Sequence, residues 1–216
     1  MGSPRRIGNR LGFAALAHYA ASEVDVLENL PQAVGRALKD VRSEMEAIVY
    51  FDEAFAKAPE TLLVTSEAFT DGQPIPARYT ADGEKRSPPI AWTATPTDAA
   101  AMVLIVEDPD APAPMPLVHT LAWALPGGDA DLAEGALRSP GSVGEAISLG
   151  RNSFFGAEYL PPDPPPGHGP HRYVFQVFAL DAHPDLHGAP IRTQVFNAMK
   201  DHVIAKGMLV GTYERA

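Results

Sequence analysis

Three short segments of the chain hold residue types that could do chemistry, and each carries a different kind of group. The first is Asp108-Pro109-Asp110-Ala111-Pro112, two carboxylates braced by two prolines directly after the apolar run ending at Val106. A rigid loop at a strand end is a common place to display binding groups. The same residues also build plain turns, in which aspartates bond their own backbone. The second is His119, which opens the apolar run Thr120 to Leu125. An imidazole there can bind, titrate or simply be a satisfied half-buried side chain. The third and richest runs from Pro161 to Tyr173, a proline series ending in Gly167-His168-Gly169-Pro170-His171-Arg172-Tyr173. Its glycines let backbone approach a ligand closely, and its histidines and tyrosine can donate to phosphate or carboxylate oxygens. As a plain structure it would be a proline-rich edge loop with solvent-facing histidines.

The elements that must hold these segments are strands. From Thr61 onward, short runs rich in β-branched and aromatic residues recur: 62–65, 90–93, 102–106, 119–125 and 173–180. Most are bounded by proline, glycine or aspartate, as strands are. Met102 to Val106 is apolar without alternation, and Tyr173 to Leu180 is apolar on both faces, so both are expected to be central and covered twice. A helix is expected over 193–206, capped near Thr193 and stopped at Gly207, followed by a strand from Met208. Residues 126–144 read as a surface loop. Proline accounts for 22 of 216 residues. Because proline spoils long helices and suits stiff connections, this excess supports a β-rich main part.

Upstream the texture differs. Val34, Leu38, Val41, Met45 and Ile48 recur every three or four residues, which predicts helices between residue 11 and about residue 58. We therefore divide the chain into an N-terminal helical extension, 1–60, and a β-domain, 61–216. Such helices must bury their apolar stripes on the β-domain or against a second copy of the chain in a homodimer.

The formal net charge is -10, which disfavours nucleic acid and acidic lipid surfaces as partners but leaves room for a local cationic pocket. The sequence has no cysteine, hence no disulfide framework or thiol nucleophile. No run approaches the ~20 apolar residues of a membrane span. Arg5, Arg6 and Arg10 before Leu11 to Ala17 look faintly like a secretion signal, but His18 and Tyr19 interrupt the apolar run. We read the chain as cytoplasmic, with the periplasm as the alternative.

Taken in order and spacing, Asp108 to Pro112, His119 and Gly167 to Tyr173 resemble the phosphatidylethanolamine-binding protein family. The bacterial Raf-kinase-inhibitor-like branch is the nearer likeness. Pro74 to Gly83, Ser87 to Trp92 and Gly150 to Phe154 are similar to further blocks of that family, so the resemblance spans about 61–213. It implies a mostly β fold, a two-sheet antiparallel sandwich with peripheral helices. It also implies a pocket for phosphate-like anions, carboxylates or phospholipid headgroups, with no metal and no cofactor. Asp108, Pro112, His119, His171 and Tyr173 match the pocket positions, and Pro164 and Pro165 match its rim. Some relatives inhibit kinases or proteases, so modulation of a protein partner is the alternative function.

The chain departs from the family pattern at Ala124, where asparagine is common, at Pro161 and Asp163, where small residues are usual, and over Met115 to Val118. Ala124 is expected to cost a polar contact, and Asp163 to set a carboxylate near the anion. Asp108 is expected to orient an imidazole while His119, His171, Tyr173 and loop amides donate. Charge-assisted bonds of about 1.5–3 kcal/mol each, offset by the costs of association, suggest affinity in the millimolar to tens-of-micromolar range. Binding should be tighter near about pH 6 than about pH 8. A metal-dependent hydrolase built on His168 and His171 is the rival chemistry, although Gly169-Pro170 between them disfavours a helical metal motif. No Gly-x-Ser-x-Gly elbow is present for a serine hydrolase.

Overall fold

The computed structural model describes residues 31–138 and 147–215. A helix, α1 (Gln32–Leu38), leads into three single 3-10 turns at Met45–Ala47, Val49–Phe51 and Glu53–Phe55. Seven strands follow: β1 (Leu63–Thr65), β2 (Gln73–Pro74), β3 (Ile90–Thr93), β4 (Ala101–Asp108), β5 (Leu117–Pro126), β6 (Ala130–Leu132) and β7 (Ser148–Leu149). The chain then forms β8 (His171–Leu180), α2 (Arg192–Met199) and β9 (Val203–Tyr213). They build a small sheet ordered β1-β3-β6 and a large one ordered β2-β9-β8-β4-β5-β7. Pairing is antiparallel except for the two-residue parallel contact of β2 with β9.

The large sheet is covered on both faces, which is why β4 and β8 carry no polar alternation. Leu104, Val106, Tyr173 and Phe175 pack toward Val64, Ile90 and Trp92 of the small sheet, forming the sandwich interior. On the opposite face Val103, Ile105, Val174 and Phe178 meet Ile48, Val49, Tyr50 and Phe55 from the 3-10 turns and Val195 and Met199 from α2. All eight residues of β4 are buried. The sandwich expected from the sequence is the fold observed.

Two helices differ from expectation. Of the helical pattern expected over 11–58, residues 11–30 lie outside the described residues, and among the rest only Gln32–Leu38 is α-helical. Val34 and Val41 are exposed, whereas the consecutive residues Ile48, Val49 and Tyr50 are buried together, which no single helix face allows. The sheet itself claims the amides a helix would use. Glu107 Oε2 accepts from Val49 N at 2.8 Å and Gln176 Oε1 from Tyr50 N at 2.7 Å. With those donors satisfied by buried acceptors, extended turns serve as well as a helix.

The second helix ends at Met199, and Val203 already belongs to β9. Its N-terminus is at Ile191, whose amide donates to the Gln194 side chain, so Thr193 sits in the first turn and is not the cap. Gly207 is a mid-strand residue and no helix stop. A Cβ there would lie 2.2 Å from the Leu62 carbonyl oxygen, so the glycine serves close chain approach. The loop expected over 126–144 contains a short strand, β6, and its part beyond residue 138 lies outside the described residues.

Candidate functional site

The ends of β4, β5 and β8 place four of the expected residues side by side. Asp108 closes β4, His119 lies near the start of β5, and His171 and Tyr173 open β8. All four are buried, at 3%, 2%, 1% and 1% exposure respectively. The His119 and Tyr173 rings meet edge to face with centroids 5.1 Å apart, and the His171 ring stacks against Tyr173 at 6.5 Å. His168 extends this row of rings, 4.8 Å from His171.

Asp108 orients an imidazole, as expected. Its Oδ2 is 2.7 Å from His171 Nδ1, and its Oδ1 accepts from the amide of Asp110 at 2.7 Å. The other nitrogen of His171 is taken: Nε2 lies 2.7 Å from His168 Nδ1. His171 is therefore engaged at both ring nitrogens, and the polar atoms left over belong to its neighbours. Among the described residues, His119 Nε2 and Tyr173 Oη are buried without a hydrogen-bond partner, together with Thr95 Oγ1 and Trp123 Nε1. His119 and Tyr173 adjoin one another, so two of these four atoms sit on touching rings. Each buried polar group left unsatisfied costs about 1–3 kcal/mol.

The tautomer of His119 follows from its other bond. Nδ1 lies 2.7 Å from the Leu160 carbonyl, which can only accept, so Nδ1 carries the proton and Nε2 presents a lone pair. Burial lowers the His119 pKa, against the opposing pull of the Asp108 charge and the Leu160 carbonyl, so the ring is neutral near pH 7. Burial, aided by the charge of Asp108, raises the Tyr173 phenol well above its ordinary range. The pair thus presents one acceptor and one donor.

The surrounding loops are held by charge. Asp110 accepts from Arg172 Nε and Nη2 at 2.8 and 2.9 Å, and Arg42 Nη1 lies 3.0 Å from its Oδ1. Burial pushes the Asp110 carboxyl up, but the bonds from Arg172 and Arg42 outweigh it and hold the group below the usual range. Pro164 and Pro165 are buried in the rim loop, and the Pro165 carbonyl accepts from His168 N at 3.1 Å. Pro112 stands half-buried in the loop after Asp108. Asp163, expected to set a carboxylate near the anion, is bonded to Arg215, which also grips Asp82 at 2.6 Å. His168 Nδ1 and His171 Nε2 spend their facing positions on each other, and among the described residues no group of three or more metal-ligating side chains is assembled.

Four participants escape a reading of the sequence: Arg42, Arg215, the Leu160 carbonyl and His168 as a partner of His171. Arg42 and Arg215 stand 126 and 52 residues from the loop residues His168 and Asp163 that they bond. Only His168 had a local signal, its Gly-His-Gly-Pro-His spacing.

Fold and site together define a β-sandwich with a buried histidine–tyrosine–aspartate cluster at one end of its interior. The profile described as phosphatidylethanolamine-binding protein matches residues 65–214, and the chain belongs to that family. It is 37% identical over 158 residues to a UPF0098 protein of Pyrococcus abyssi, covering 72% of this chain and 87% of that one. A crystallised phosphatidylethanolamine-binding protein homolog from Chlamydia trachomatis superposes with a TM-score of 0.65 at 34% identity, covering 73% of this chain and 99% of the other. Escherichia coli YbcL, described as a member of the mammalian family, gives 0.67 at 25% identity, covering 72% and 99%.

Proposed function

We propose that this chain is a binding protein for a small phosphate-like anion or phospholipid headgroup, held where His119 and Tyr173 meet. The observation that carries this reading is the pair of partnerless buried polar atoms, His119 Nε2 and Tyr173 Oη, on touching rings. A hydrogen phosphate or its monoester complements them: a P–O⁻ oxygen accepts from the Tyr173 hydroxyl, and the P–OH donates to His119 Nε2. With a fully ionised ligand the same contact requires His119 to gain a proton. A fully ionised monoester thus takes up one proton on binding, so its affinity rises as pH falls, by at most tenfold per unit, whereas inorganic phosphate keeps a P–OH as HPO4²⁻ and needs none.

The test is Tyr173→Phe. Replacing a buried hydroxyl that has no partner by a ring of the same shape leaves the unliganded protein as stable as before, or more so. Calorimetric titration with phosphate, phosphoethanolamine and acetate should show affinity reduced about tenfold, the worth of one hydrogen bond. Unchanged affinity would overturn the reading, and so would a large loss of stability, because the hydroxyl would then have a structural partner.

A further inference from the structure

Residues 31–43 precede the family match, yet they bond to both loops of the site. Arg42 Nη2 donates to the His168 carbonyl at 2.8 Å and Nη1 to the Pro170 carbonyl at 2.9 Å, while Ser43 Oγ donates to the Pro109 carbonyl at 2.8 Å. Gly35 packs so closely on the rim loop that a Cβ there would lie 2.1 Å from the Pro166 carbonyl oxygen. The Leu38 carbonyl lies 2.8 Å from His168 Nε2.

These contacts complete a row of three hydrogen bonds: Asp108 Oδ2 to His171 Nδ1, His171 Nε2 to His168 Nδ1, and His168 Nε2 to the Leu38 oxygen. Each bond needs one proton. Two neutral imidazoles supply two, and neither an ionised carboxylate nor a carbonyl supplies any. The row as it stands therefore holds a third proton. Because the Leu38 oxygen only accepts, His168 must donate through Nε2. Burial, and then the neighbouring His171 and Arg42, lower the His168 pKa, so this ring is neutral and its Nδ1 accepts. His171 must then donate from Nε2, and the third proton lies between His171 and Asp108.

We propose that the Leu38 carbonyl and His168 are positioning groups that keep this third proton bound, holding the Asp108–His171 pair at zero net charge. Loss of that proton would leave the pair with a full negative charge beside the anion. The pair's value to ligand binding rests on the function proposed above; the proton count does not. Other charged and titratable groups face the row from every side. They are Arg42 from the N-terminal segment, Asp110 from the β4 loop, His119 from β5, Arg172 and Tyr173 from β8, and the Asp163–Arg215 pair from the rim. Asp110 is already matched by Arg42 and Arg172, so the charge left to balance is that of Asp108.

Side-chain nitrogen NMR of the full chain without added anion, from about pH 5.5 to 9, tests the proposal. In the wild type, His171 Nε2 should be protonated and His168 Nδ1 bare at pH 7. His168→Phe removes both ring nitrogens at similar volume, and Gly35→Ala, whose Cβ would press on the Pro166 oxygen and the His168 backbone, pushes α1 off the rim loop while keeping every imidazole. In each, the midpoint for losing the His171 Nε2 proton should fall by about one pH unit, the worth of one charge-assisted bond. A bare His171 Nε2 in the wild type at pH 7, or an unmoved midpoint in either folded variant, would overturn it. Inorganic phosphate is then added. A wild type that shows the expected proton but binds no phosphate would refute the anion reading and leave the proton count standing.

Discussion

At the scale of single residues, Ala124 shows how a family departure can bear on the backbone. Asparagine at this position suggested a polar contact, lost here. The backbone supplies a further reason: Ala124 has φ 55°, at an irregularity where β5 slips register against β4. Asparagine takes that conformation at lower cost than alanine does. Ala124→Gly should therefore stabilise the protein by about 1 kcal/mol, measured by urea denaturation with the slope unchanged. His119 gives the second residue-scale expectation. Its folded pKa lies below the unfolded value near 6.5, so its contribution to stability is complete above that pH and is lost as pH falls toward the folded value. The stability difference between wild type and His119→Leu should shift against the wild type by up to about 1.4 kcal/mol per unit below about pH 6.5. A difference independent of pH would mean His119 titrates normally in the folded state.

At the scale of elements, α2 is attached to the sheet by one buried charge pair. Arg192 Nε lies 2.5 Å from Oε1 of the fully buried Glu107, whose other oxygen accepts from Val49 N and Gln176 Nε2. Arg192→Ala leaves that carboxylate without its cation and should cost about 3 kcal/mol in a denaturant titration, whereas an ordinary surface arginine costs under about 1. This also explains which elements were legible in the sequence. β4 and β8 announce themselves because both faces are covered, and the cluster of Asp108, His119, His171 and Tyr173 because each segment has its own local signature. The 3-10 turns over Met45–Phe55 do not, since their form follows from acceptors on Glu107 and Gln176, 58 and 126 residues away. The last turn of the expected α2 was lost for a similar reason. Val203 to Lys206 suit a helix by pattern, but pairing along β8 claims them for β9.

At the scale of the whole molecule, the chain's last described residue closes the site's rim. Arg215 reaches Asp82, Asp163 and the Pro164 carbonyl, and its hydrogen bonds, foremost among the causes, hold the Asp82 carboxyl below the usual range. In a molecule of formal net charge -10, this guanidinium sets a positive charge beside a carboxylate on the rim. Arg215→Gln should weaken phosphate binding by up to about fivefold and change stability by less than about 1 kcal/mol, read by calorimetry and urea titration. Equal affinity in the two proteins would show that Asp163 exerts no influence on the ligand. No helix among the described residues is long and apolar enough to cross a membrane.

The separation of Asp108 from His171 in the chain has a consequence for biosynthesis. The two are 63 residues apart. At about 5–20 residues per second, the ribosome releases β4 roughly 3–13 seconds before the strand that supplies its partner. Throughout that interval a strand buried along its whole length in the finished protein waits with one edge unmatched and no imidazole for its terminal carboxylate. The nascent chain is thus most exposed to wrong pairing while its N-terminal half is already outside the ribosome. Synonymous codons that slow translation between residues 108 and 171 should lower soluble yield more than the same codons placed after residue 180.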